Sequence, residues 1–116
     1  MLIRVLLLAS FLVGCAASLP SSTSEGDWLS YGEQRALSGY KVQSKEELSQ
    51  NHVLSQELYS VYLRGYETGK TAYCQQNPYA LGSRKQSYFG ICDDVDKFFR
   101  MKFEAGRSLA DSRSRS

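Results

Sequence analysis

Three cysteines and a single histidine are the side chains of this 116-residue chain with the most versatile chemistry. The cysteines are Cys15, Cys74 and Cys92, and the histidine is His52. A structural metal site uses four ligands at recognisable spacing, and one histidine with two cysteines is too few. The chemistry that remains is thiol chemistry, namely acylation of one cysteine or a bond between two. We therefore expect no metal and no cofactor.

The N-terminal segment predicts that Cys15 is modified. A positive charge opens the segment, and an apolar run interrupted by one serine occupies positions 5–13. This run has the length of a signal peptide and falls short of the roughly 20 apolar residues of a membrane-spanning helix. The sequence Leu-Val-Gly-Cys at 12–15 resembles the lipobox of bacterial lipoproteins, in which the cysteine carries lipid. We predict a lipoprotein signal peptide at 1–14. The alternative is an ordinary signal peptide that contains a cysteine.

Cys74 and Cys92 remain as a pair once Cys15 is assigned to lipid. An exported protein meets an oxidising compartment, so the pair predicts a disulfide, with two free thiols as the alternative. By the chain-entropy model a bond that closes this loop contributes roughly 3 kcal/mol. Because a small domain is stable by only about 5–15 kcal/mol in total, we expect the bond to matter for folding.

Other patterns suggest catalysis or nucleotide binding, and each has a simpler explanation. Residues 65–71 look like a phosphate-binding loop, but the spacing between the glycines is one residue short and the segment lies inside a helical pattern. A histidine is a suitable residue type for a general base, yet no partner can be assigned to His52, and it is better placed to flank a short helix. Glu67 and Glu104 each precede a cation by three residues, which favours helix-surface ion pairs. We predict no enzyme activity and no nucleotide binding.

The composition of the chain limits the classes of partner that it is expected to bind. Removal of residues 1–14 leaves 102 residues, the size of one small domain. This mature chain has 13 Lys and Arg residues against 12 Asp and Glu residues, a formal net charge of +1. Such a balance argues against nucleic acid, which requires a strongly basic face, and it predicts little attraction to anionic surfaces.

The segment after Cys15 divides into a linker, a helical domain and a tail. Residues 15–26 are rich in hydroxyl side chains and have no hydrophobic periodicity, so they are predicted to be a flexible linker that spans at most about 40 Å. A helical domain is predicted at 27–111 and a disordered tail at 112–116. The expected fold is mainly α, a small domain of three to four helices with one disulfide-pinned irregular loop or short hairpin.

Capping signals and apolar stripes predict the helices. The first begins with Asp27 as its N-cap and ends with Gly39 as its C-cap, and a capping box at 44–47 starts a short second helix. A stripe with a 3.6-residue period predicts the third helix, and a similar stripe predicts a last helix capped by Asp93 or Asp94. The stripes consist of Leu58, Tyr62, Tyr66, Gly69 and Tyr73, and of Val95, Phe99, Phe103, Gly106 and Ala110. Residues 75–91 carry turn signals, and 87–91 could be extended.

Glycines recur on these stripes. The third and last helices repeat each other with an offset of 37 residues, which aligns Gly69 with Gly106, and a fainter copy contains Gly32 and Gly39. A glycine inside a helix costs about 1 kcal/mol relative to alanine, so its recurrence needs a reason. We predict close helix packing at Gly32, Gly39, Gly65, Gly69 and Gly106. The alternative is a surface groove for a partner, which exposure of the stripes would favour.

Together these features resemble a bacterial family of small lipoproteins known as domain of unknown function 2799. They are the lipobox, Asp27-Trp28 with Gly32 and Gly39, Tyr-x-x-Gly-x-x-x-Gly-x-x-x-Tyr-Cys at 62–74, Leu-Gly at 81–82 and Tyr-x-Gly-x-Cys at 88–92. The resemblance covers nearly all of the mature chain and implies an architecture, without an activity. It also implies an outer-membrane location, because Ala16 and not aspartate follows Cys15.

We therefore expect a lipid-anchored envelope lipoprotein that acts as a structural or protein-interaction module. The alternative is a periplasmic inhibitor or a cell-wall-binding module. The expected partners are the membrane, through lipid on Cys15, and an envelope protein or the cell wall. Nucleic acid is not expected.

Overall fold

Five helices make up most of the described chain. The computed structural model describes residues 18–50, 53–84 and 86–115. Its helices are α1 (Glu25–Leu37), α2 (Lys45–Leu48), α3 (Gln56–Cys74), α4 (Pro78–Ser83) and α5 (Phe99–Ser114). These ranges contain no β-strand, so the short extended stretch predicted near residue 88 does not form a hairpin. The mainly helical fold with one disulfide is confirmed, with five helices instead of the predicted three to four.

Helix α1 begins before the predicted cap at Asp27. Ser24 is the N-cap, and its carbonyl accepts the Trp28 backbone N–H at 3.2 Å. The buried Trp28 indole donates to the Ser22 carbonyl at 3.0 Å, and the Asp27 carboxylate accepts the Ser22 hydroxyl. Leu19 is partly buried against the core. Because burial of Trp28 draws the preceding residues towards the helix, Leu19 and Ser22 of the predicted linker contact the domain.

The end of α1 needs a glycine, as the sequence predicted. Gly39 has a φ of 82°, in the left-handed region that glycine adopts without steric cost. Its N–H donates to the Ala36 carbonyl at 2.9 Å, and the Tyr40 N–H donates to the Arg35 carbonyl at 3.2 Å. These two bonds form a Schellman motif, which satisfies carbonyls that the helix end leaves free.

Helices α2 and α3 start at serine caps. The Ser44 hydroxyl accepts the Glu47 N–H at 3.2 Å, which confirms Ser44 as the cap, and Glu47 accepts the Ser44 hydroxyl at 3.2 Å. The Ser55 hydroxyl accepts the Leu58 N–H at 3.2 Å at the start of α3. Helix α3 then covers the whole stripe that predicted it.

Helix α4 was not predicted, because its start was interpreted as a turn. Asn77 is the N-cap, and its side chain accepts the Tyr79 N–H at 2.9 Å. Pro78 occupies the first helical turn, where its missing N–H leaves no hydrogen bond unmade. The same Asn-Pro pair that indicates a turn is therefore the start of a short helix.

Helix α5 begins at Phe99, so the prediction of a cap at Asp93 or Asp94 was wrong. The Cys92 carbonyl accepts the Asp96 N–H at 2.9 Å, which closes a separate turn before the helix. The stripe residue from this turn, Val95, is 63% exposed, so it is not part of the buried stripe. At its other end α5 continues to Ser114 and so includes the first three residues of the predicted tail.

Helices α1 and α3 form a pair in which backbones meet at glycines. Gly32 on α1 faces the carbonyl of Tyr62 on α3, and Gly65 on α3 faces the carbonyl of Leu29 on α1. A Cβ atom at either glycine would lie well under 3.0 Å from that oxygen, a separation that real Cβ atoms essentially never show. Gly69 meets α1 one turn further along, at Glu33. The pair therefore requires glycine at these positions.

Helices α4 and α5 form a second pair with the same arrangement. Gly82 on α4 faces the carbonyl of Phe103 on α5, and Gly106 on α5 faces the carbonyl of Tyr79 on α4. A Cβ atom at either glycine would again lie well under 3.0 Å from backbone oxygen. Gly82 was missed as a packing residue because α4 was not predicted.

The two pairs correct the register of the sequence repeat. In each pair, a glycine faces the carbonyl of the residue three positions before the partner glycine. This geometry makes Gly65 equivalent to Gly106, an offset of 41 residues instead of the predicted 37. Tyr62 precedes Gly65 by three residues and Tyr66 precedes Gly69 by three, so an aromatic-x-x-Gly pattern fits both registers. The sequence alone could not choose between them.

Gly65→Ala is expected to destabilise the domain by about 1–3 kcal/mol, although alanine is the better helix former. The reason is that the new methyl group would meet the Leu29 carbonyl. Gly26→Ala is the matched control, because Gly26 also lies in a helix, α1, but a Cβ atom there meets only the Ser24 hydroxyl at 3.7 Å. We expect it to be neutral or slightly stabilising. Urea unfolding measures both, and a Gly65→Ala protein as stable as wild type would contradict the packing argument.

Candidate functional site

Several residues with predicted chemistry lie outside the described residues. They are the signal peptide at 1–14, Cys15 and His52. Within residues 18–50, 53–84 and 86–115, no group of three or more His, Cys, Asp or Glu side chains could hold a metal ion. No helix in the same ranges is long and apolar enough to span a bilayer. Lipidation of Cys15 stays a prediction.

The predicted disulfide is confirmed, and it joins the two helix pairs. Cys74 ends α3 and Cys92 lies in the turn before α5, with their Cα atoms 5.7 Å apart. Cys92 is fully buried. Beside the bond, the rings of Tyr73 and Phe99 pack with their centroids 6.2 Å apart. In the described chain, extensive helix contacts occur only within the α1–α3 and α4–α5 pairs. The disulfide is therefore a principal connection between them.

Tyr88 positions the turn that carries Cys92. Its hydroxyl accepts the Cys92 backbone N–H at 3.0 Å and donates to the Asp93 carboxylate at 2.8 Å. Its ring packs against Phe99 with a centroid distance of 5.2 Å, and the Arg100 guanidinium lies 4.8 Å from the ring centroid. The buried Cys92 is thus held by the hydrogen bond that its backbone N–H donates to Tyr88 as well as by its disulfide.

Four tyrosine hydroxyls hold the segment 40–43 against the α1–α3 pair. Gln43 is bonded through its backbone N–H at 3.0 Å, its carbonyl at 3.0 Å and its side-chain oxygen at 2.6 Å. Tyr66 donates to the carbonyl of Tyr40 at 2.7 Å. The four tyrosines are Tyr31, Tyr59, Tyr62 and Tyr66. Their rings contribute to the core while their hydroxyls fix a polar segment, a role that the apolar periodicity did not reveal.

A salt bridge links α3 to the turn before α5. The Lys70 ammonium lies 2.8 Å from the Asp94 carboxylate, and its hydrogen bond holds the pKa of Asp94 below its usual value. The sequence predicted that Lys70 would pair with Glu67 on the same helix, and this is wrong. The turn that Cys92 anchors brings a carboxylate to Lys70 from another part of the chain.

The aromatic side chains of the predicted stripes are buried. This favours core packing over the alternative of a surface groove for a partner. The aromatic members Tyr62, Tyr66, Tyr73, Phe99 and Phe103 are all at most 4% exposed. No side-chain nitrogen or oxygen buried in the described part of the chain lacks a hydrogen-bond partner. These residues are therefore used by the fold itself.

An open groove does lie elsewhere, between α4 and α5. It has a volume of about 650 Å³, and its walls include Tyr79, Ser83, Leu109 and Arg113. Tyr79 is 46% exposed and Leu109 is 58% exposed. The sequence did not predict this surface, because one of its two walls belongs to α4.

The fold and the site define a class of protein: a small helical domain in which two glycine-packed helix pairs are joined by a disulfide. The chain belongs to the family described as protein of unknown function (DUF2799), whose model matches residues 27–108. The resemblance found in the sequence is thereby confirmed at the level of the domain. No curated protein and no solved structure matches the chain.

Removal of the disulfide as Cys74→Ser/Cys92→Ser is expected to lower the free energy of unfolding by about 2–4 kcal/mol. The reason is that the bond joins two helix pairs between which the described chain has few helix–helix contacts. Denaturant unfolding without reductant measures the change. Cys15→Ser is the control and should leave stability unchanged. A double variant as stable as wild type would show that the ring contacts suffice to join the pairs.

The domain is expected to lose stability above about pH 10. Burial raises the pKa of Tyr62, Tyr66, Tyr73 and Tyr88 above the usual 10.0, and the hydrogen bond to Asp93 adds to this for Tyr88. Below pH 10 the tyrosines keep their protons in both states, and their contribution to the free energy of unfolding is complete. As the pH rises towards the pKa values of the folded state, the unfolded chain loses its phenolic protons first, so the free energy of unfolding falls. Each buried tyrosine contributes a slope of at most about 1.4 kcal/mol per pH unit.

Tyr73→Phe provides the matched test of this alkaline loss. Desolvation by burial is the cause of the raised pKa of Tyr73, so the substitution removes a titrating group while the ring remains. Unfolding free energies measured from pH 8 to 11 should show a shallower decline for the variant than for wild type. Identical declines would mean that Tyr73 does not contribute to the pH dependence.

Proposed function

We propose that this protein is a lipid-anchored lipoprotein of the bacterial cell envelope, and that its helical domain acts as a structural or protein-interaction module at the outer membrane. The observation that carries the proposal is which of the three cysteines are bonded to each other. Cys74 and Cys92 are bonded to each other, which leaves Cys15, the cysteine of the lipobox, as the third. A structural disulfide is typical of an oxidising compartment and thus supports export.

The packing of the N-terminal segment supports a short tether. Among the described residues, Leu19 is the first that packs against the core, and it is four residues after Cys15. Four residues span at most about 14 Å, compared with about 40 Å for the linker expected from the sequence. A lipid on Cys15 would therefore hold the domain close to the bilayer surface. A partner of the domain would meet it there.

The distribution of buried groups supports an interaction role. The aromatic stripes and the tyrosine hydroxyls serve the fold, so a partner would use the outer surface. That surface exposes large apolar side chains on α4 and α5, including Tyr79, Met101 and Leu109, which are 46%, 60% and 58% exposed. The absence of enzyme activity stays a prediction.

Cys15→Ser is expected to abolish lipidation and move the protein from the membrane fraction to the soluble or uncleaved fraction. Fractionation of cells followed by mass spectrometry of the mature N-terminus measures both effects. The matched control is Cys74→Ser/Cys92→Ser, which should keep the lipid because it leaves the lipobox intact. A wild-type protein with no lipid mass, together with a Cys15→Ser protein that still sediments with membranes, would refute the anchor.

A further inference from the structure

The two cysteines of the disulfide differ in exposure. Cys92 is 0% exposed, and its backbone is held on both sides. Its N–H donates to the Tyr88 hydroxyl at 3.0 Å, and its carbonyl accepts the Asp96 N–H at 2.9 Å. Cys74, the last residue of α3, is only partly buried. A thiol that approaches the folded domain can therefore reach the bond only from the side of Cys74.

An open cleft lies on that side of the bond. It has a volume of about 270 Å³, and its walls come from the last turns of α3 and from the turn before α5. Cys74 lines the cleft together with Thr71, Gln75, Asp94 and Val95. Thr71 and Gln75 are exposed, and Val95 is 63% exposed, so the cleft opens to solvent between them. The side chain of an incoming cysteine can approach Cys74 through this cleft.

The junction between the helix pairs has contacts that do not depend on the disulfide. The rings of Tyr73 and Phe99 pack with their centroids 6.2 Å apart, and the Lys70 ammonium lies 2.8 Å from the Asp94 carboxylate. The turn that contains Cys92 also keeps its own backbone hydrogen bonds. Opening the bond would therefore leave Cys92 close to its former partner.

We propose that Cys74 is a site of thiol–disulfide exchange, at which a dithiol oxidoreductase forms a mixed disulfide with this chain. The thiolate of the partner attacks Cys74 Sγ, the bond to Cys92 breaks, and Cys92 leaves with the electron pair and takes a proton from water. The second thiol of the partner loses its proton to water and attacks the partner's first sulfur. Cys74 leaves as a thiolate and is protonated. The partner is oxidised to a disulfide and this chain is reduced to two thiols.

The fixed position of Cys92 determines that the partner is a dithiol. A single thiol that adds to Cys74 leaves the Cys92 thiolate beside the new mixed disulfide. Because the turn holds Cys92 there, it attacks Cys74 again and expels the added thiol. A second thiol on the partner competes with this reclosure, since it is also held close to the mixed disulfide. The inference does not depend on the lipid anchor, because it concerns only the two bonded cysteines.

The first test asks whether the bond opens in the folded domain. It uses the mature chain, residues 15–116, with Cys15→Ser so that only Cys74 and Cys92 react; all five helices lie within it. Reduction by dithiothreitol is followed at urea concentrations below the unfolding transition. We expect a rate that does not change with urea, because no further surface has to be exposed. A rate that rises with urea in parallel with the unfolded fraction would show that the bond opens only after unfolding, and it would overturn the proposal.

The second test locates the reactive sulfur with two single-cysteine chains. Glutathione disulfide should modify Cys74 in the Cys92→Ser chain about tenfold or more faster than Cys92 in the Cys74→Ser chain. The ratio of the same two rates above the unfolding transition gives the intrinsic reactivities, and the tenfold difference is expected relative to it. Equal ratios below and above the transition would contradict the assignment to Cys74. The urea dependence of the intact chain does not require these variants to fold.

The third test narrows the cleft. Val95→Trp should slow the reduction of the folded chain by dithiothreitol about fivefold or more, because the larger side chain stands at the opening. Val53→Trp is the matched control, since Val53 is 87% exposed and does not line the cleft, and it should react at the rate of the parent chain. We expect both variants to unfold at the same urea concentration as the parent. A Val95→Trp chain that is reduced as fast as the control would refute the cleft as the route to Cys74.

Discussion

The contact between glycine and a facing backbone carbonyl is the constraint on which this fold depends. It occurs reciprocally in both helix pairs, at Gly32 and Gly65 and again at Gly82 and Gly106. Helices that approach this closely have no room for a Cβ atom at the crossing, and their Cα–H groups lie against carbonyl oxygens. The aromatic rings are then placed beside the crossing instead of between the helices. The conformational cost of glycine within a helix is offset by this contact.

The same constraint explains why the domain needs a covalent connection. Each glycine crossing brings together one pair of helices, and in the described chain extensive helix–helix contacts occur only within these pairs. The Cys74–Cys92 bond and the ring contact between Tyr73 and Phe99 connect the pairs. Tyr88 supports the connection by holding the Cys92 N–H while its ring packs on Phe99. A small core is thus stabilised by a covalent bond of a kind that is typical of oxidising compartments.

Sequence reasoning was most successful where a local signal decides the structure. The serine cap at Ser44 and the unbroken stripe of α3 predicted their helices correctly, since capping and periodicity act within one or two turns. It failed where contacts between residues far apart in the sequence decide the structure. The start of α5 depends on a turn that Cys92 closes, and α4 depends on packing at Gly82. The repeat register was ambiguous because aromatic-x-x-Gly occurs twice in α3, and only the facing helix distinguishes Gly65 from Gly69.

The two sides of α5 have different roles, because one side packs in the fold and the other is exposed at the surface. Phe103 and Gly106 pack on α4, whereas Met101 and Leu109 are exposed on the outer side of the same helix. The net charge of the chain does not reveal this second side, because charge is balanced beside the helix, where Arg100 lies 3.3 Å from Asp93 and Lys102 lies 3.8 Å from Asp96. Only the contacts with α4 distinguish the side of α5 that the fold uses from the side that it leaves exposed.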